Sequence, residues 1–156
     1  MSIPSNVDLD EVRRFSAISD LWWDEDGPMA ALHRINPVRI SFILEGICKH
    51  FGRNPNETQP LSGLKILDIG CGAGLLCEPL TRLGASVSGI DAAKESIMAA
   101  VEHANEANLN INYQHSVVEE IYNESWDIVL AMEVIEHVPN IDKFVTDAIK
   151  LVNKGG

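Results

Sequence analysis

The chain has 156 residues, 46% of them hydrophobic, and a formal charge of −11 at neutral pH. That length buries one real core with at most a small extension, no apolar run approaches the roughly 18 residues of a membrane span, and the acidic balance repels a nucleic-acid backbone. The first ten residues lack the basic and apolar regions of a secretory signal, and Cys48, Cys71 and Cys77 show no paired metal-type spacing, so a reducing cytoplasm is expected.

Residues 8–19 place Val12, Phe15 and Ile18 at helical spacing and predict a short amphipathic helix. The aromatic and acidic stretch 21–28 predicts a loop. Asn36 followed by Pro37 predicts a helix start, with Asn36 as cap and the proline in the first turn, running toward Phe51. Residues 52–62, with Asn54, Pro55, Asn56 and Pro60, read as a hydrophilic connector. Residues 1–62 thus form a helical extension and connector, and residues 63–156 a second unit. There, short apolar runs at 65–69, 86–90, 111–114 and 127–132 alternate with helical patterns at 74–83, 93–108 and 141–152. Such alternation predicts an α/β fold, a parallel sheet with helices on both faces.

The first strand, Ile66-Leu67-Asp68-Ile69, runs directly into Gly70-Cys71-Gly72-Ala73-Gly74-Leu75. Glycines at the carboxyl end of a first parallel strand let backbone approach a nucleotide-type ligand. The dinucleotide fingerprint needs a third glycine where Leu75 stands, and Asp68 would repel a pyrophosphate. No Gly-Lys-Ser/Thr follows, which excludes a P-loop. A cationic ligand without phosphate fits better. Asp91 closes the second strand about 20 residues beyond the first glycine, where a carboxylate accepts hydrogen bonds from ribose hydroxyls.

A second constellation, Met132-Glu133-Val134-Ile135-Glu136-His137, follows the fourth strand. On one helical turn Glu133, Glu136 and His137 would converge and could hold magnesium, manganese or zinc. The competing reading has them line the mouth of a metal-free substrate site, with His137 or Glu136 as general base.

The acid and the spaced glycines resemble the first motif of the class I S-adenosylmethionine-dependent methyltransferases. Trp22-Trp23-Asp24, then Leu32-His33-Arg34-Ile35-Asn36-Pro37-Val38-Arg39, and finally Met132-Glu133-Val134-Ile135-Glu136-His137-Val138 resemble the ubiquinone-biosynthesis O-methyltransferases within that class. Ala73 departs mildly from the many relatives with a glycine there, and 52–62 looks like an insertion. The resemblance implies a Rossmann-like fold with strand order 3-2-1-4-5-7-6. It implies S-adenosylmethionine as methyl donor, with Gly70, Gly72 and Gly74 under its methionine part and Asp68 near its amino end. Asp91 would hold the ribose, Val118 the adenine, Met132 the adenosine or methionine portion, and Arg39 the carboxylate. It favours a divalent ion, magnesium foremost, at Glu133, Glu136 and His137. The implied substrate is a lipophilic polyprenylated catechol, met at the inner-membrane surface and shared with other ubiquinone-biosynthesis enzymes. Another small molecule or an RNA 3′ end as acceptor, and an inert cofactor-binding scaffold, are the rival readings. Because four strands leave the fourth at an open edge, the chain is expected to be the N-terminal part of a longer protein. Trp22 and Trp23 read either as anchors of the N-terminal helices or as substrate contacts, and His33 as a residue that fixes local backbone rather than a catalyst.

Overall fold

The computed structural model describes residues 6–156, so the first five residues of the 1–62 extension lie outside the described residues. Helix α1 (Leu9–Ser16) begins where the Asp8 carboxylate accepts the backbone N–H groups of Asp10 and Glu11. Acids in its first turn and arginines in its last complement the helix dipole. A short 3₁₀ turn, Ser19–Leu21, leads through the Trp22–Trp23 segment to α2 (Ala30–Phe51). That 22-residue helix ends in a left-handed Gly52.

This corrects the expected helix start at Asn36 and Pro37. Pro37 lies inside α2, where it removes one backbone donor. Asn36 caps nothing; its side chain crosses to the glycine loop instead, donating from Nδ2 to the Leu75 carbonyl over 2.8 Å.

Strands β1 (Lys65–Ile69), β2 (Ser86–Asp91), β3 (Asn112–His115) and β4 (Ile128–Leu130) form one parallel sheet in the order β3-β2-β1-β4. Between them stand α3 (Cys77–Arg82) and α4 (Lys94–Glu106), and α5 (Ile141–Lys150) follows β4. Helix α3 starts three residues later than expected, because residues 70–76 turn back on themselves first. Strand β4 stops at Leu130 rather than Met132; a parallel bridge between Trp126 and Val152 extends the sheet beside its start.

Side chains of β1 alternate between two apolar clusters, as a sheet covered on both faces requires. Ile66 joins Ile43 and Ile47 of α2, Leu80 of α3 and Ile97 of α4. Leu67 and Ile69 join Trp126, with Phe144 of α5 and Leu151 just beyond it. A third cluster seats the extension: Trp22 and Met29 pack on Ala73 and Leu75, with Phe15 and Trp23 at its margin. Full burial of a leucine or isoleucine side chain contributes about 1.5–3 kcal/mol. The same packing brings the carboxyl ends of β1, β2 and β4 under the extension. None of the described helices is long and apolar enough to cross a membrane.

Leu80 is fully buried in the first cluster, whereas Phe42 is 71% exposed on α2. Leu80→Ala is therefore expected to lower unfolding stability by about 3 kcal/mol, and Phe42→Ala to change it by less than about 0.5 kcal/mol, both read by chemical denaturation.

Candidate cofactor and substrate site

The glycine loop is held from β2. The N–H groups of Gly70 and Cys71 both donate to the Ile90 carbonyl, at 2.8 and 3.0 Å. Asp91 then ties two segments together: Oδ2 accepts from the Gly72 N–H at 2.8 Å, and Oδ1 from the Ala93 N–H, at the start of α4, at 2.7 Å. Gly70 has φ +69°, and an added Cβ would overlap a methyl of Val134. Gly72 has φ +55°, and its Cβ would enter the indole of Trp22. Backbone in that region, pressed so closely, admits only glycine.

Beside the loop lies a cavity of about 300 Å³. Arg39, Asp68, Gly70, Asp91, Val118 and Met132 line it, and so do Glu133, Glu136 and His137. Nine of the eleven expected site residues thus share one cavity. Gly72 and Gly74 stand behind its wall, Gly72 against Trp22 and Gly74 against the Tyr113 hydroxyl.

Charge in this cavity is unbalanced. Burial pushes the Asp68 carboxyl up to about 7, opposed by a bond from the Cys77 thiol and by the charge of Arg39. Burial also raises Asp91, against its two backbone hydrogen bonds. Two carboxyl groups made costly to ionise favour a positively charged ligand beside them. Arg39 supplies the opposite charge: its Nε is buried and has no hydrogen-bond partner, while Nη1 donates to Asn36 Oδ1 at 3.3 Å. The arrangement, an arginine with a buried Nε and two acids raised by burial beside a glycine loop, suits a zwitterion attached to a nucleoside. S-adenosylmethionine has those groups.

The expected convergence of Glu133, Glu136 and His137 on one ion is not met. Among the described residues, no three His, Cys, Asp or Glu side chains form a metal-holding group. The reason is local: residues 132–134 form a turn and Ile135–His137 a 3₁₀ helix, not one α-helical turn. Glu133 itself has φ +58°, a left-handed conformation unusual for a residue with a Cβ. His137 engages the extension instead. Its Nδ1 lies 2.8 Å from Glu11 Oε2, and its ring meets Phe15 edge-on.

Several site residues carried no readable signal. Asn6 exchanges hydrogen bonds with Asn140 and donates its backbone N–H to Glu119, bringing the N-terminal segment over the cavity. Glu11 reads in the sequence only as a first-turn acid. The tryptophans pack the extension onto the glycine loop: Trp22 lies in the third cluster and also lines the cavity, and Trp23 stacks on His103 at 3.6 Å and donates to the Ala73 carbonyl. His33 Nε2 lies 2.8 Å from the Trp22 carbonyl, in its expected backbone role.

Gly72→Ala is expected to cost about 1–3 kcal/mol of stability, from backbone strain and the clash with Trp22, measured by thermal unfolding. For Asp68 the folded pKa lies above the unfolded one, so the folded state holds the extra proton between about 4 and 7. Its contribution to ligand-free stability is complete below about pH 4 and fades as pH rises through 7. Asp68→Asn is expected to remove a pH-dependent loss of order a few kcal/mol over that window, read from denaturation midpoints across pH.

The model of the methyltransferase domain family matches residues 67–156. A ubiquinone biosynthesis O-methyltransferase from Methylobacterium nodulans is 49% identical over 97% of this chain and 61% of that protein. Its counterpart from Rhodopseudomonas palustris is 52% identical over 99% of this chain and 61% of that protein. The chain therefore spans about three fifths of the length of these curated relatives. Among solved structures, magnesium protoporphyrin IX methyltransferase from Synechocystis with bound S-adenosylmethionine superposes with a TM-score of 0.68 at 20% identity, over 93% of this chain and 66% of that one. At that identity the likeness speaks for the fold, which is the Rossmann-like class I methyltransferase fold. With the glycine loop, Asp91 and the matched residues in place, the chain belongs to the methyltransferase domain family.

Proposed function

We propose that the chain forms the cofactor-binding part of an O-methyltransferase that moves a methyl group from S-adenosylmethionine to a phenolic oxygen of a polyprenylated catechol in ubiquinone biosynthesis. The observation that carries the reading is the cavity that gathers Arg39, Asp68, Asp91 and Gly70 at the strand ends. The acceptor rests on the relatives, about half identical and named for that pathway. A polyprenyl tail partitions into lipid, so the reading includes contact with a membrane surface and with other enzymes that handle such intermediates.

When bound, S-adenosylmethionine supplies a methyl group already electrophilic on its sulfonium. The chain's task is to align donor and acceptor and to remove the phenol proton. Arg39, with its unpartnered buried Nε, grips the carboxylate; Asp91 takes the ribose hydroxyls; Val118 and Met132 pack on the adenosine and methionine portions. Asp68 faces the amino group, whose positive charge favours its ionised form. An unperturbed phenol has a pKa of about 10 and needs a base near neutrality. His137 takes its proton on Nε2, because Nδ1 is already set against Glu11, whose carboxylate stabilises the resulting imidazolium. Glu136, on the same 3₁₀ turn, is the second proton acceptor at the cavity.

Titration calorimetry with S-adenosylhomocysteine and a labelled methyl-transfer assay on a prenylated catechol test this reading. His137→Gln is expected to keep S-adenosylhomocysteine affinity within about twofold and to lose on the order of 100-fold in kcat. A chain that does not bind S-adenosylhomocysteine, or a His137→Gln variant as active as the parent, would contradict it.

A further inference from the structure

Two consecutive residues of α2 break the rules of the helix they occupy. Asparagine and proline are both poor in a helix interior, and a residue before proline is pushed away from helical backbone. Yet Asn36 and Pro37 sit in the first half of a 22-residue helix, beside the cavity. A local rule broken next to a site points to a constraint other than helix stability.

The Asn36 amide meets such a constraint with both of its ends. Its Nδ2 donates to the Leu75 carbonyl at 2.8 Å, where the glycine loop leads into α3. Its Oδ1 accepts from Arg39 Nη1 at 3.3 Å, one turn along the same helix. The Leu75 carbonyl accepts only, so it fixes which end of the amide faces Arg39: the oxygen. Bound in this way, one edge of the guanidinium is occupied while Nε remains buried and unpartnered in the cavity wall. Aspartate would offer no donor to Leu75 and would neutralise the arginine. Glutamine would place the amide one methylene farther out.

We infer that Asn36 is a positioning residue for cofactor recognition: held by the Leu75 carbonyl, its side-chain oxygen aims the Arg39 guanidinium at the carboxylate of S-adenosylmethionine. The inference rests on the reading of Arg39 given under Proposed function. It gives Asn36 a part in discrimination between ligands with and without that carboxylate, exerted through Arg39 and without contact to the ligand.

The test compares S-adenosylhomocysteine with 5′-methylthioadenosine, which keeps the adenosine and sulfur but lacks the amino-acid part. Affinities of both are measured by calorimetry for the parent chain and for Asn36→Ala, Arg39→Ala and the double variant. Asn36→Ala is expected to weaken S-adenosylhomocysteine about tenfold and 5′-methylthioadenosine less than about twofold, with the double variant no weaker than Arg39→Ala alone. Retained 5′-methylthioadenosine binding also reports that the variant is folded. The isosteric Asn36→Asp, which sets a second carboxylate against Arg39, is expected to weaken S-adenosylhomocysteine selectively as well. Equal weakening of both ligands by Asn36→Ala would mean a purely structural tie to the loop and would overturn the inference. So would an Asn36→Ala without effect beside a selective Arg39→Ala. An Arg39→Ala that weakens both ligands alike would instead overturn the carboxylate reading of Arg39, and the inference with it.

Discussion

The carboxylate of Asp91 is the tie on which the site depends. One oxygen holds the Gly72 N–H and the other the Ala93 N–H, so the end of β2 fixes both the glycine loop after β1 and the start of α4. A buried, partly desolvated carboxylate is costly unless its oxygens are satisfied. Here the backbone N–H groups of Gly72 and Ala93 satisfy them, which ties the loop to the end of β2. Preorganisation of this kind lowers the ordering cost of binding. Everything else at the site is placed relative to that loop: Trp22 against Gly72, Trp23 on the Ala73 carbonyl, and Asn36 on the Leu75 carbonyl.

The extension is therefore part of the site rather than an appendage. Its three clamps on the loop come from residues separated from it by roughly 40 to 50 positions. Its first helix roofs the cavity through Glu11 and Phe15 at His137, and Asn6 locks the segment before that helix onto Asn140. Arg39, Asp68 and Asp91 share the space below. Burial raises the pKa of both acids, and a cationic group beside them favours their ionised forms.

The sheet was legible in the sequence because its signals are local. The run 65–69 carries apolar Ile66, Leu67 and Ile69 and stops at Gly70, so its limits coincide with β1. Parallel pairing followed from the alternation of strands and helices, whereas the strand order came with the resemblance to the class I methyltransferases. Asp91 was legible for the same reason, standing at a strand end at a fixed distance from the glycines. What escaped were contacts between distant segments. Asn36 and Pro37 look like a helix start by every local rule, yet they lie inside α2, where the Asn36 amide meets the Leu75 carbonyl. Glu133, Glu136 and His137 have helical spacing, but after β4 the chain turns through a left-handed Glu133, which breaks the register that would have aimed them together.

Asp91 holds the glycine loop against the end of β2 through the Gly72 N–H. Amide hydrogen exchange at Gly72, followed by NMR on the ligand-free chain, tests this most directly. The Gly72 N–H is expected to be protected in the parent chain and to lose that protection in Asp91→Ala, while the amide of Leu67 in β1 stays protected in both. Exchange of the Gly72 amide at the rate of an unstructured loop in the ligand-free parent would contradict the account.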